Sequence, residues 1–141
     1  MSRIYWDSML FIYWLEDRPQ LAERVDRIRS RMKQRRDHLI TGVLTFGEVL
    51  AGPYRRGLPQ AAEKTRAQLH SMVAEVVPFT IETTDHYARI RGFFGIKPAD
   101  AIHLACAAQA RTDLFLTNDS ALVGKVIPGI QFIAGLDSNI L

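Results

Sequence analysis

The sequence carries a single cysteine, Cys106, among 141 residues. An internal disulfide is therefore excluded. A thiol inside so apolar a run reads as a small buried hydrophobe, as expected in a reducing, cytoplasmic setting. Long apolar runs are missing as well. The stretch Met9 to Leu15 follows Asp7 and ends at Glu16-Asp17. It is too short for a membrane span and wrongly flanked for a secretory leader, so neither membrane nor export is expected. His38, His70, His86 and His103 show no paired ligand spacing, which leaves a zinc centre little support. There is no Gly-x-Ser-x-Gly elbow and no glycine-rich phosphate loop before a helix. Without repeats, low-complexity tracts or linkers, one domain over residues 1–141 is the simplest organisation.

Charge of one sign is also scarce: 18 Lys and Arg against 15 Asp and Glu, a formal +3. Its distribution is uneven. Arg24, Arg27, Arg29, Arg31, Lys33, Arg35 and Arg36 crowd one segment, and Arg55-Arg56 form a smaller cluster. Such a surface attracts polyanions, and solvated helix faces account for it equally well.

What is present alternates between two periods. Arg3 to Trp6 reads as a buried strand, and Asp7-Ser8 opens a helix to about Leu15. Leu21, Val25, Ile28 and Met32 form the apolar stripe of a second helix, with arginines on its other faces. His38 to Thr41 is the next strand. Val43 to Leu50 reads as a helix stopping at Gly52-Pro53, and Arg55 to Gln60 as a loop. Ala61 to Met72 is helical, Ala74 to Pro78 a strand, and Thr84 to Phe94 a helix capped by Thr83 or Thr84. The Pro98 helix runs to about Ala110. Asp113 to Thr117 is a strand, Ser120 to Val126 a short helix and Gln131 to Ala134 a last strand. Strands alternating with helices imply α/β architecture with a mainly parallel sheet covered on both faces.

In such sheets functional groups collect at the carboxyl ends of the strands. Asp7 follows the first strand and Asp119 the fourth. Asp100 opens the apolar Pro98 helix, and Glu48 lies on a helix among Phe46, Val49 and Leu50. Each Asp also stands at a helix start, where a capping role accounts for it, and Glu48 suits an exposed stripe. Taken together, four carboxylates on one rim cannot all remain ionised unpaired. Divalent cations resolve the conflict, and all-oxygen ligation suits Mg²⁺ or Mn²⁺. Ser8, Thr45 and Thr117 sit one to three residues from three of these acids. They either orient carboxylates or substrate, or bond their own backbone. His103 reads as a packed histidine or one that supports the acids from behind. Tyr13, Trp14 and Tyr54 suit a dimer seam or a partner groove, with core packing an equal account of Tyr13 and Trp14.

Four segments carry a resemblance: Ile4-Tyr5-Trp6-Asp7-Ser8, Thr45-Phe46-Gly47-Glu48-Val49-Leu50-Ala51-Gly52, Pro98-Ala99-Asp100-Ala101-Ile102-His103-Leu104-Ala105 and Leu116-Thr117-Asn118-Asp119. In order and spacing they resemble the successive motifs of PIN-domain ribonucleases, most of all VapC-type toxins of bacterial toxin–antitoxin pairs. The resemblance implies a Rossmann-like α/β/α fold with Asp7, Glu48, Asp100 and Asp119 as catalytic, metal-holding acids. It implies Mg²⁺- or Mn²⁺-dependent hydrolysis of RNA phosphodiesters, leaving a 5′-phosphate and a 3′-hydroxyl. A homodimer and a cognate antitoxin of a type II pair are implied too. Ser8-Met9 departs from the family's common Thr-Ser, although Ser8 keeps a hydroxyl. The fourth acid is the family's most variable.

Within that reading Arg27, Arg31, Arg55 and Arg56 are the expected contacts to RNA phosphates, which position a strand without reading its bases. Other classes fit less of the chain. A phospho-acceptor, receiver-like signalling domain wants adjacent acids after the first strand, where Asp7-Ser8 stands. A haloacid-dehalogenase-like phosphatase wants Asp-x-Asp, and Met9 occupies the second place. A catalytically silent PIN-like module binding nucleic acid or protein would keep the fold without chemistry, and a nuclease assay with EDTA separates it.

Overall fold

A computed structural model describes residues 1–139 and 141. Among them, the chain runs β1 (Arg3–Trp6), α1 (Ser8–Leu15), α2 (Leu21–Arg35), β2 (His38–Gly42), α3 (Val43–Arg55), α4 (Pro59–Met72), β3 (Glu75–Val77), α5 (Ile81–Phe94), α6 (Pro98–Gln109), β4 (Thr112–Thr117) and β5 (Ile130–Gly135). The strands form one sheet in the order β3-β2-β1-β4-β5, and every neighbouring pair is parallel. Parallel neighbours need a crossover between them, and the helices supply it.

Alternation along the strands divides the core in two. Ile4, Trp6, Leu39, Leu114 and Leu116 face α1 to α4, where they meet Leu10, Phe11, Val25, Met32, Val49 and Leu69. Tyr5, Ile40, Phe115 and Ile133 face α5 and α6, against Ile90, Ala101, Leu104, Ala105 and Ala108. Each large apolar side chain so buried contributes roughly 1.5–3 kcal/mol. The run of small residues on α6 lets that helix lie close to the sheet, which brings its first turn to the rim where β1 and β4 end.

The structure corrects four boundaries. α3 continues through Gly52 and Pro53, both buried, to Arg55. Proline takes away the helical donor to the Val49 carbonyl, and the burial of Gly52 and Pro53 outweighs that single loss, while the helix-end carbonyls of Gly52, Pro53 and Tyr54 accept from Arg56, Leu58 and Gly57. Pro59 opens α4 instead of punctuating a loop, because its fixed φ suits the first helical turn. α5 starts at Ile81: Thr80 is the cap, and Thr83 closes the capping box from inside the helix. The segment 120–126 is not helical. Its bonds, Asp119 carbonyl from Leu122 N–H and Leu122 carbonyl from Lys125 N–H, are those of tight turns, and Gly124 at φ +81° ends them. No helix among the described residues is long and apolar enough to cross a membrane.

Candidate functional site: an acidic pocket at the carboxyl edge of the sheet

Asp7 leaves β1 at the carboxyl edge, its N–H bonded to the Leu116 carbonyl at 3.0 Å. Only 6% of it is exposed. Its Oδ1 accepts the Ser8 N–H at 2.7 Å, so the residue caps α1. Its Oδ2 accepts the Thr117 hydroxyl at 2.9 Å, and that same hydroxyl oxygen accepts the Asp119 N–H at 3.1 Å. Capping and membership of a site are thus not alternatives at Asp7, because one carboxylate does both.

Glu48 reaches the pocket from α3. Its Oε1 lies 2.5 Å from Nε2 of His103, and the same nitrogen is 3.9 Å from Asp7 Oδ1. Burial pushes the Glu48 carboxyl up, but the hydrogen bond and charge of His103, aided by the Ser8 hydroxyl, hold it below its ordinary value. Asp100, half-buried in the first turn of α6, receives no hydrogen bond from the described residues. Burial raises its pKa, and the charges of Asp7, Asp119 and Glu48 raise it further against the opposing effect of His103. Asp119 is exposed and accepts the Ala121 N–H at 2.9 Å.

The four acids line one pocket of about 220 Å³, together with Ser8, Met9, Tyr13, His103 and Asn118. Neither Lys nor Arg is among the lining residues. The helices and strands that carry the acids are distant in sequence, and the parallel topology alone assembles them. As they stand, no three His, Cys, Asp or Glu side chains among the described residues converge closely enough to hold a metal ion. The donor chemistry nevertheless suits a divalent cation. The pocket is lined by carboxylates, and the Asp100 pKa is raised by burial first and then by the charges of Asp7 and Asp119.

The remaining expected contributors are placed unevenly. Ser8 and Thr117 meet the acids, whereas the buried Thr45 hydroxyl pairs with Thr41 at 2.7 Å, and Thr41 binds the Trp6 carbonyl. Thr45 braces the backbone before Asp7 and touches no carboxylate in this network. Arg27 and Arg31 line a separate cleft of about 430 Å³ with Arg24 and residues 136–139. There Arg24 pairs with Asp137, Arg27 with Glu23, and Arg31 donates to the Leu141 carbonyl. Arg55 and Arg56 are exposed at the end of α3, and Arg56 lies 4.0 Å from Glu16. Tyr13 is buried with its hydroxyl accepting from Asn118 at 3.0 Å, Trp14 is half-buried under the Arg29 guanidinium, and Tyr54 is exposed.

Sequence reasoning passed over Tyr5, the second partner of His103. The available signal was its place two residues before Asp7, on the strand face that α6 covers.

The family model described as PIN domain matches residues 4–124. Among solved structures, the chain is similar to VapBC2 from Rickettsia felis bound to a DNA fragment from their promoter, with a TM-score of 0.75 and 14% identity over 94% of this chain and 98% of that one. It is also similar to a toxin–antitoxin complex from Klebsiella pneumoniae, with a TM-score of 0.67 and 20% identity over 92% and 95%. No curated protein matches the sequence.

Proposed function

The chain belongs to the PIN domain family, and from that premise we propose that it is a metal-dependent endoribonuclease and the toxin of a toxin–antitoxin pair. The observation that carries the reading is the convergence of Asp7, Glu48, Asp100 and Asp119 on one pocket without a Lys or Arg in its lining. A phospho-acceptor site would want a lysine there.

Asp7, Glu48 and Asp100 would hold one Mg²⁺ or Mn²⁺ ion, and Asp119 would hold or shape a second position. When bound, the cation supplies Lewis acidity: it lowers the pKa of water and offsets charge on the phosphate. The chain's own residues do the positioning. The Ser8 N–H and Thr117 hydroxyl aim Asp7, and Thr117 ties the Asp119 backbone to the same carboxylate. The substrate in this reading is single-stranded or looped RNA. Arg27, Arg31, Arg55 and Arg56 would contact flanking phosphates, an electrostatic grip that weakens with salt.

A cognate antitoxin fits this reading because both similar structures are toxin–antitoxin complexes. A homodimer belongs to the same reading, with Tyr54 exposed near the end of α3 and available to its seam. The buried lone thiol of Cys106 suits the cytoplasm.

The direct test is cleavage of labelled single-stranded RNA by the purified protein with Mg²⁺ or Mn²⁺, with and without EDTA. Cleavage that EDTA abolishes and added Mn²⁺ restores is the expected result. Cleavage unaffected by EDTA, or none with either ion, overturns the proposal.

A further inference from the structure

Strand alternation turns Tyr5 toward α6, where it is fully buried and stacks on Phe115 at 5.0 Å. Burial, then the charges at Cys106 and Asp7, push the phenol well above its ordinary pKa, while Gly42 and Thr41 pull the other way. A phenol carries its proton at neutral pH in any case. Its oxygen lies 2.7 Å from Nδ1 of His103, and the Nε2 of that ring lies 2.5 Å from Glu48 Oε1. An ionised carboxylate only accepts, so Nε2 must carry a proton. In a neutral ring Nδ1 then accepts from the phenol. For that neutral ring the pairing selects the Nε2–H tautomer, with Tyr5 donating to His103 and His103 donating to Glu48, and a charged ring donates to Glu48 through the same Nε2.

Gly42 shows how closely the fold is cut around this chain. A Cβ there would stand 2.6 Å from the Tyr5 hydroxyl oxygen and 3.3 Å from Cys106 Cβ and Sγ. Gly42 is also the residue from which α3 starts. The phenol thus abuts the start of the helix that carries Glu48, while His103 binds the carboxylate that helix delivers. A buried histidine needs partners only to satisfy its nitrogens. Here one partner is a group with no other role in the pocket, and the other is one of the four acids.

We propose that Tyr5 and His103 form a positioning relay for Glu48, in which the Tyr5 hydroxyl sets the ring tautomer and His103 aims the carboxylate at the cation position. Both are positioning residues, because each acts through Glu48. The inference rests on the metal-nuclease reading and adds to it the residues that prepare one of its ligands. Outer partners of ligands govern affinity by fixing orientation, and losing one costs about 10–100-fold in metal affinity or activity.

Tyr5→Phe removes the hydroxyl and keeps the ring. Three measurements on the full chain test it: the His103 tautomer by ¹⁵N NMR without metal, Mn²⁺ affinity by calorimetry, and RNA cleavage kinetics. The wild type is expected in the Nε2–H form and the variant in a mixture. Mn²⁺ affinity should fall about 10–100-fold, and kcat should fall while KM for RNA holds. His103→Ala and His103→Gln form a second pair independent of Tyr5. The amide of Gln keeps a donor for Glu48, so His103→Gln should retain more Mn²⁺ affinity than His103→Ala. Wild-type tautomer and Mn²⁺ affinity in Tyr5→Phe overturn the relay, as does equal affinity in the two His103 variants. A wild type that binds Mn²⁺ but cuts no RNA, with affinity still lost in Tyr5→Phe, overturns the nuclease reading and keeps the relay. A wild type that binds no Mn²⁺ overturns both.

Discussion

The acidic pocket has a tied side and a bare side. Asp7 and Glu48 belong to the first: Ser8, Thr117 and His103 hold their oxygens at 2.5–2.9 Å. Asp100 belongs to the second, with a carboxylate that the described residues leave without a hydrogen bond and a pKa raised by burial and by its neighbours' charge. Asp119 stands between, exposed and capping a turn. Hydrogen bonds fix the groups that must be aimed, and they leave unsatisfied the group that needs a partner from outside. A carboxylate satisfied on all sides by protein would have little to offer a cation, whereas one without a hydrogen-bond partner and facing other carboxylates gains most from it.

The tied side is expected to be indispensable to cleavage. Asp7→Asn should keep the fold, because asparagine still caps a helix, and should reduce cleavage by more than the about 100-fold that an outer partner can cost. Circular dichroism and a cleavage assay check the two halves of that statement.

Opposite pH behaviour of the two sides sharpens it. The folded pKa of Asp100 lies above its unfolded value, so the folded chain binds more protons in the interval between them. Stability therefore falls as pH rises through that interval, and the penalty persists at neutral pH. Metal-free Asp100→Asn should melt higher than the wild type at pH 7, and the gain should vanish below the ordinary carboxylate range. The folded pKa of Glu48 lies below its unfolded value, so its contribution is present above that value and lost as pH falls through the folded one. Metal-free Glu48→Gln should melt lower at pH 7, with the loss fading in acid. Melting curves of both variants across pH 3 to 8 decide it, and equal signs would refute the division.

The smallest effect is mechanical. In Gly42→Ala the new methyl group meets the Tyr5 hydroxyl oxygen at 2.6 Å, and relieving the overlap should cost about 1–3 kcal/mol of stability. Chemical denaturation measures it. A neutral substitution would show that the tied side is looser than its distances imply.

Much of this was legible in the residues. β1, α1 and α6 fall within a residue of their expected bounds because caps, prolines and apolar runs act locally. α3 was not, since Gly52-Pro53 reads as a stop until the packing that buries both is known. The segment 120–126 reads as a helix until Gly124 takes a positive φ that ends its turns. Within the site, Asp7, Glu48, Asp100 and Asp119 could be nominated from motif and strand-end position. Thr45 was drawn in by its nearness to Glu48 in sequence, yet its hydroxyl turns to Thr41. Tyr5 was passed over because its place two residues before Asp7 says which face it takes and not what its buried polar tip will meet.

The amino-acid order by itself determined the alternation of strand and helix, the two-sided burial of the sheet and the acids that stand at its rim, because hydrophobic period and capping chemistry are properties of neighbours in the chain. Only the tertiary structure decided which acids are held and which are left bare. That depends on groups about 55 to 110 residues apart, such as His103 with Glu48 and Thr117 with Asp7, and the hydrogen bonds between them exist only once parallel strands have brought α3, α6 and β4 to one edge.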